Sequence, residues 1–452
     1  MCDSNRVRVV YISYDGALDP LGRSQVIPVV TGLADLGCQM RLVTYEKKER
    51  RADEVARVSL ERELAHHGVR WSALSYHKRF SLFATAWDLL RGLVLVSTWC
   101  IRRKVDLVHA RSYPSTLIAW VIYRIWKVPY IFDMRALYGD DRVDAGLWLE
   151  SSLAYRLTKW LEKRFLRDAS SVVTLTHASV PVICEIESSG LGGKVPEVIP
   201  TCADLEHFTI TKRADPENLS ITTGGKPQDL SIRAGADPEH FTPAEVHRAS
   251  EAELEPELAY FGSIGPTYLV DEMLRFGKVF LDRFLDGRLV FIVNDGLAPS
   301  GQSALEEVRG LANSLGIEPA RFEVTSLAHQ EIVQRLRRVS ATYVFVRPGP
   351  SKVAMASTKV SESFALGIPV AINRGIGDSA DIIDSEGIGV VVDPFDSDTW
   401  PQKIDELLEL SRLVEVREKC RAQAELEHSL AGAIKKYANI YNRNLRVGQI
   451  VV

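Results

Sequence analysis

Apolar and polar positions follow two rhythms along this chain. Short β-branched runs, such as VRVVYISY at Val7–Tyr14 and ATYVFV at Ala341–Val346, read as buried strands. Between such runs the apolar residues recur every three or four positions, as on a helix that buries one face. The first half opens with the strand Val7–Tyr14 and the loop DGALDPLGRSQ. A helical pattern then starts at Ser24, runs through Val26, Ile27, Val30 and Leu33, and is stopped by Gly37; the strand Arg41–Tyr45 follows. Further on come DLVHARSYPS (Asp106–Ser115), an apolar helix over Leu117–Trp126, VPYIFDMRALYGDDRVDAGLW (Val128–Trp148), a helix over Leu153–Leu166 and the strand SVVTLT. A second unit begins at Leu258–Phe261, where a strand runs into GSIGPTY and a helix over Leu269–Phe284. It continues through the strand Arg288–Asp295, helices over Ala304–Leu315 and Gln330–Val339, and the strand Ala341–Val346. After the loop Arg347–Pro350 a helix is capped by Ser357 or Thr358 and ended by Gly367, and the strand PVAIN leads to the loop Gly375–Asp378. The tail, Trp400–Asn444, is largely helical.

Strand–helix alternation of this kind predicts the α/β class, with two Rossmann-like doubly wound units. The expected division is an N-terminal domain over 1–208, a linker or insertion over 209–257, a C-terminal domain over 258–425, and a final helix over 426–452 that packs back across the domains. The linker is rich in Pro, Gly, Asp and Thr. It carries an echo, in which Ala203–Thr209 (ADLEHFT) recurs as Ala236–Thr242 (ADPEHFT). One echo is too few for a repeat array and reads as a local duplication.

Composition changes this picture little: 46% hydrophobic and 25% charged is ordinary for a globular chain. Six cysteines show no CxxC spacing, so a reducing cytoplasm and the absence of a structural metal are expected. The first residues run straight into a strand, so no signal peptide is expected. The charge is uneven. Residues 1–210 hold 28 Lys and Arg against 24 Asp and Glu, and the remainder 27 against 35. A mildly basic first half suits an anionic surface or acceptor, although scattered surface charge accounts for it equally well. Nothing points to nucleic acid. The most apolar stretch, Phe80–Cys100, is flanked by His77-Lys78-Arg79 and Arg102-Arg103-Lys104 and interrupted by Asp88 and Arg91. Each of these two charges would cost about 2.5–3.5 kcal/mol in a bilayer centre. A core helix is therefore expected, with an interfacial helix and peripheral membrane contact as the alternative.

Candidate chemistry gathers at strand ends. His109, Arg111 and Ser112 end one strand, and Asp133 and Arg135 the next; a His beside an Asp can bind or deprotonate a hydroxyl. Gly22-Arg23-Ser24 puts flexible backbone and a cation at a helix start, with a plain αβ corner as the competing reading. The opening βαβ unit has no GxGxxG, which argues against a nicotinamide enzyme. In the second half the turn Gly262–Thr267, with Ser263 and Gly265, meets a helix start as phosphate cradles do. Asn294 ends the neighbouring strand. Arg347, Ser351, Lys352, Thr358 and Lys359 surround a further helix N-terminus, which suits a diphosphate, and Glu362 one turn on suits ribose or sugar hydroxyls. A solvated Lys and Glu on a structural βαβ unit is the bland alternative.

Taken in order, YISYDGALDPLGRSQ, DLVHARSY, FDMRALYGDDRVDAGLW, YFGSIGPTY and STKVSESFALGIPV followed by NRGIGD resemble the family-4 retaining GT-B glycosyltransferases over nearly the whole length. The resemblance implies two Rossmann-like domains facing a cleft, a nucleoside-diphosphate sugar donor held by the C-terminal domain, a glycan, lipid-linked or small-molecule acceptor against the N-terminal one, and no obligatory metal or cofactor. Such an enzyme works in the cytoplasm or at the inner membrane face. Glu362 matches the second glutamate of the family's paired-glutamate motif, which holds the ribose. The first falls at Ala354, a departure, and the usual Arg and Lys after the glycine turn are missing; Arg347, Lys352 and Lys359 are the candidates to replace that charge. On this reading Lys359 stabilises the leaving diphosphate, and His109 and Asp133 line the acceptor side as catalytic residues. A nucleotide-sugar epimerase and an inactive glycan-binding relative on the same fold are the competing expectations.

Overall fold

The computed structural model describes residues 6–77, 82–102, 104–186, 194–206, 255–294, 303–445 and 450. Of the linker only 255–257, and of the echo only 203–206, fall within these residues.

Two wholly parallel sheets carry the fold. In the first, β1 (Arg8–Ser13), β2 (Gln39–Glu46), β3 (Arg70–Ser75), β4 (Leu107–Arg111), β5 (Tyr130–Asp133), β6 (Ser171–Thr174) and β7 (Glu197–Val198) lie in the order β3-β2-β1-β4-β5-β6-β7. In the second, β8 (Glu257–Gly262), β9 (Arg288–Val293), β10 (Phe322–Thr325), β11 (Ala341–Val344), β12 (Val370–Ile372) and β13 (Gly389–Val391) lie in the order β10-β9-β8-β11-β12-β13. The central strands are buried along their length, because helices cover both faces of each sheet, so they read as continuous apolar runs and not as alternation. Strand order reverses between β1 and β4, and again between β8 and β11. At such points the loops diverge and leave room for a ligand beyond the C-terminal strand ends.

One core fills both sides of the second sheet. The first sheet has a core on each face. Helices Ile27–Asp35, Glu54–His66 and Leu430–Asn444 lie on one side, and Leu82–Ile101, Ser112–Trp126 and Leu153–Asp168 on the other. The chain's last helix crosses domains as expected. Helix Val414–Glu427 buries Val416, Cys420 and Ala424 in the second core. At His428 the chain passes over, with Nδ1 3.0 Å from the Thr201 carbonyl oxygen and 3.1 Å from Ser361 Oγ. Helix Leu430–Asn444 then buries Tyr437, Ile440 and Tyr441 against the first sheet, each aromatic or branched side chain contributing about 1.5–3 kcal/mol.

Loops after the strands of one sheet meet loops after the strands of the other. The Asp378 carboxylate accepts from the His177 and Ala178 amides at 2.6 and 2.8 Å. Thr176 Oγ1 donates to the Val353 carbonyl at 2.7 Å. Lys352 pairs with Asp141, and the Ser351 amide donates to Asp144 at 2.9 Å. The C-terminal edges of the two sheets therefore face each other.

Candidate functional site

At the second switch point, β8 ends on Gly262 with φ +128°, a conformation open to glycine and costly for other residues. The turn that follows is tied to the end of β11: the Leu269 amide donates to the Phe345 carbonyl at 3.0 Å, and the Arg347 amide to the Thr267 carbonyl at 2.8 Å. The helix Thr358–Ala365 comes up against this turn from below. A Cβ built on Gly262 would sit 2.3 Å from Lys359 Cε, so the absence of a side chain there is what admits Lys359. Gly262 and Lys359 are thus brought together, with Glu362 one turn along the same helix and Ser263, Gly265 and Thr267 in the turn itself.

Lys359 is buried, and its Nζ lies 2.9 Å from the Tyr268 hydroxyl and 4.1 Å from that ring's centroid, with the Tyr260 ring at 5.5 Å. Burial pushes the Tyr268 phenol up, but the Lys359 charge and hydrogen bond outweigh it and hold it below its ordinary value. Glu362, one turn further along the helix, is 8% exposed. Among the described residues nothing hydrogen-bonds its carboxylate. Burial raises that carboxyl to about 7, against the opposing pull of Lys359. Ser357 is the helix N-cap, yet its buried Oγ has no hydrogen-bond partner among the described residues. A buried ammonium, an unpartnered carboxylate, an unpartnered hydroxyl and a helix N-terminus in one place form an incomplete polar set.

The remaining donor-side residues divide. Thr358 is half-buried at the helix start, and Arg347 is exposed with Nε 3.3 Å from the Pro266 carbonyl. Asn294 is exposed at the end of β9, its amide 3.2 Å from the Gly262 carbonyl. Ser351 and Lys352 are both buried and spent on Asp144 and Asp141 of the first domain, so their expected place on the diphosphate is corrected to an interdomain contact. Ala354 is likewise buried, in a core of the first domain.

On the first sheet, adjacent strand registers bring Ser13, Arg111 and Asp133 side by side at the switch point. His109 Nε2 lies 3.3 Å from Asp133 Oδ2, and His109 Nδ1 2.8 Å from the Tyr441 hydroxyl. Burial lowers the His109 pKa, against the opposing hydrogen bond and charge of Asp133. Burial would raise Asp133, but Arg135, His109 and Arg111 bring it down to about 2. Neither His109 nor Asp133 has exposed surface, because Tyr437 and Tyr441 of the last helix cover them. The expectation that they touch an acceptor is therefore corrected: the pair ties the last helix to the sheet. Arg111 Nη1 is 3.9 Å and Arg135 Nη1 3.4 Å from the Asp133 carboxylate. Among the described residues, buried Ser13 Oγ, Arg111 Nε and Nη1, Asp133 Oδ1 and Arg135 Nε have no hydrogen-bond partner. Ser112, half-buried, opens its helix at φ +67°, a strained value for a residue with a side chain. Gly22 is packed under the loop after β1, where a Cβ would lie 2.0 Å from the Gly16 carbonyl oxygen, and Arg23 is paired with Glu63 at 2.8 Å. The pin of that loop is Glu46, buried, which accepts from the Ala17 and Leu18 amides at 2.7 and 3.2 Å.

Sequence reasoning missed Tyr268, Glu46, Asp141 and Asp144. Tyr268 stood inside the glycine turn and could have been weighed as a cation's partner; the others acquire meaning only from residues distant in the chain. Among the described residues no group of three His, Cys, Asp or Glu side chains is placed to hold a metal ion.

Residues 25–181 match the family described as glycosyl transferase 4-like domain. No curated protein matches the chain by sequence. Among solved structures, sucrose-phosphate synthase from Thermosynechococcus elongatus superposes with a TM-score of 0.67 at 13% identity, covering 97% of this chain and 99% of the other. Anabaena Alr3699/HepE in complex with UDP and glucose gives 0.64 at 11%, covering 96% and 99%. WaaG, a glycosyltransferase involved in lipopolysaccharide biosynthesis, gives 0.59 at 12%, covering 96% and 99%.

Proposed function

Given a chain with the GT-B fold whose residues 25–181 match the glycosyl transferase 4-like domain family, we propose that it transfers a sugar from a nucleoside-diphosphate sugar to a hydroxyl-bearing acceptor with retention of anomeric configuration. One observation carries the reading: buried Lys359 and unpartnered Glu362 stand one turn apart on a helix whose start abuts the Gly262 turn. The diphosphate supplies the anion that the Lys359 ammonium and the turn amides lack, and the ribose supplies two hydroxyls for the Glu362 carboxylate.

In the reaction the bond from the anomeric carbon to the diphosphate oxygen breaks, and negative charge grows on that oxygen. Lys359, with Arg347 at the turn, stabilises it where water is excluded. The acceptor oxygen approaches the same face, and its proton passes to the departing phosphate oxygen, so no carboxylate base is required. The strand ends of the first sheet, with Arg111, Ser112 and Arg135, form the acceptor side, which suits a polyhydroxylated molecule. The lobe contacts between Lys352 and Asp141 support closure over the donor, which would otherwise be hydrolysed.

The experiment is a screen of UDP, GDP and ADP sugars with and without acceptor, reading nucleoside diphosphate release and the anomeric configuration of the product. Release that requires an acceptor and gives a retained linkage supports the proposal. An inverted product, or conversion of the donor sugar without acceptor, contradicts it.

A further inference from the structure

The helix Leu82–Ile101 is long and apolar enough to cross a membrane by length and composition, but it does not stand alone. Val96 and Cys100 on one side enter the core of the first domain, Asp88 is fully buried with the His77 amide 3.0 Å from its Oδ2, and Gly92 lies against Tyr45. The other side meets no partner among the described residues. Trp87, Leu90, Val94 and Ile101 are 57, 48, 55 and 68% exposed, and their spacing of three, seven and fourteen residues puts them on one face. The helix Ser112–Trp126 separates this helix from Leu153–Asp168, and all three cover the same side of the first sheet. The outer stripe of Leu153–Asp168 repeats the pattern with charge added. Leu153, Leu157 and Trp160 are 80, 52 and 47% exposed, and Arg156, Lys163 and Arg164 share that face, the last with its guanidinium 4.7 Å from the Trp160 ring. The helix's two acids, Glu162 and Asp168, are turned away, Glu162 being fully buried and Asp168 bonded to Trp120. Seven large apolar side chains exposed on the outer faces of these two helices are more than scattered exposure explains.

We propose that this helical layer docks the protein on a membrane surface containing anionic lipid, with Trp87, Leu90, Leu157 and Trp160 entering the interface and Arg156, Lys163 and Arg164 meeting lipid phosphates. The occupant follows from the chemistry of the face. Long aliphatic and indole side chains interleaved with cations, and no exposed acid on the Leu153–Asp168 stripe, match the layered interface of a bilayer. A second copy of the same chain would place these cations against each other. The helices lie in the plane of the surface, because their inner faces remain packed on the sheet. This surface is independent of the donor site, so its failure leaves the transferase reading standing.

The test is cosedimentation of the full chain with phosphatidylcholine vesicles, with and without phosphatidylglycerol, at low and high salt. Three chains are compared: wild type, Trp87→Glu with Leu90→Glu, and Lys163→Glu with Arg164→Glu. Circular dichroism establishes that each is folded, and size-exclusion with light scattering gives the mass in solution. Wild type is expected to sediment with the anionic vesicles about tenfold more tightly than with neutral ones, and salt should reduce the difference. Either double variant, folded, should lose roughly tenfold or more. Equal sedimentation on both vesicle types, unchanged binding by the folded variants, or a wild-type dimer that the Trp87/Leu90 variant converts to monomer would overturn the proposal.

Discussion

Glu362 is a carboxylate whose buried position costs energy until something donates to it. Its folded value near 7 stands above the ordinary 4.5, so the native state binds this proton more tightly than the unfolded chain does. Its contribution to stability is therefore full below the unfolded value and is lost as pH rises towards 7. Glu362→Gln should remove that slope and, above pH 7, raise stability by up to about 3 kcal/mol, read by denaturant titration across pH. Because ribose hydroxyls donate best to the ionised form, nucleotide affinity should fall as pH drops below about 7 in wild type and stay flat in the glutamine variant. Lys359→Ala removes a charge-assisted contact and should weaken nucleoside diphosphate binding by about tenfold or more, measured by calorimetry. Lys359 and Glu362 were legible in the sequence as residues at a helix start. Tyr268, which holds Lys359 in place, was less so: its place in the glycine turn allows a cation as partner, but only the fold says which one.

Elements position these residues by close approach. The strand β8, its turn and the helix Thr358–Ala365 fit together only because Gly262 has no side chain. Gly262→Ala would force a Cβ onto Lys359 and demand a positive φ of alanine, costing about 1–3 kcal/mol in a thermal melt and weakening nucleotide binding with it. Most elements were legible because apolar runs and periodic faces reflect burial directly. Arg347–Pro350 and Gly375–Asp378 were legible only as loops. Asp378 fastens its loop to the other domain, a bond that depends on residues two hundred positions away. The same limit explains His109 and Asp133. Their residue types suggested a reactive pair, while the helix that buries them lies more than three hundred positions further on.

At the scale of the molecule, two lobes are joined by the last helix and by contacts across their facing edges. Alternating strands and helices made this architecture legible, but the contacts that hold the lobes together were not. Lys352 is buried against Asp141, and an unpaired buried charge costs about 3–5 kcal/mol. Asp141→Ala combined with Asp144→Ala should therefore part the lobes, seen as a larger radius of gyration by small-angle scattering, with the melting of each lobe little changed. An unaltered radius would show that these contacts do not hold the closed arrangement.

The most direct test of the whole account is a crystal structure of the protein soaked in parallel with UDP, GDP and ADP. The account predicts the diphosphate of the nucleotide that binds within hydrogen-bond distance of Lys359 Nζ and the Gly262–Thr267 amides, with its ribose on Glu362. A nucleotide found elsewhere on the molecule, or none bound at saturating concentration, would contradict it.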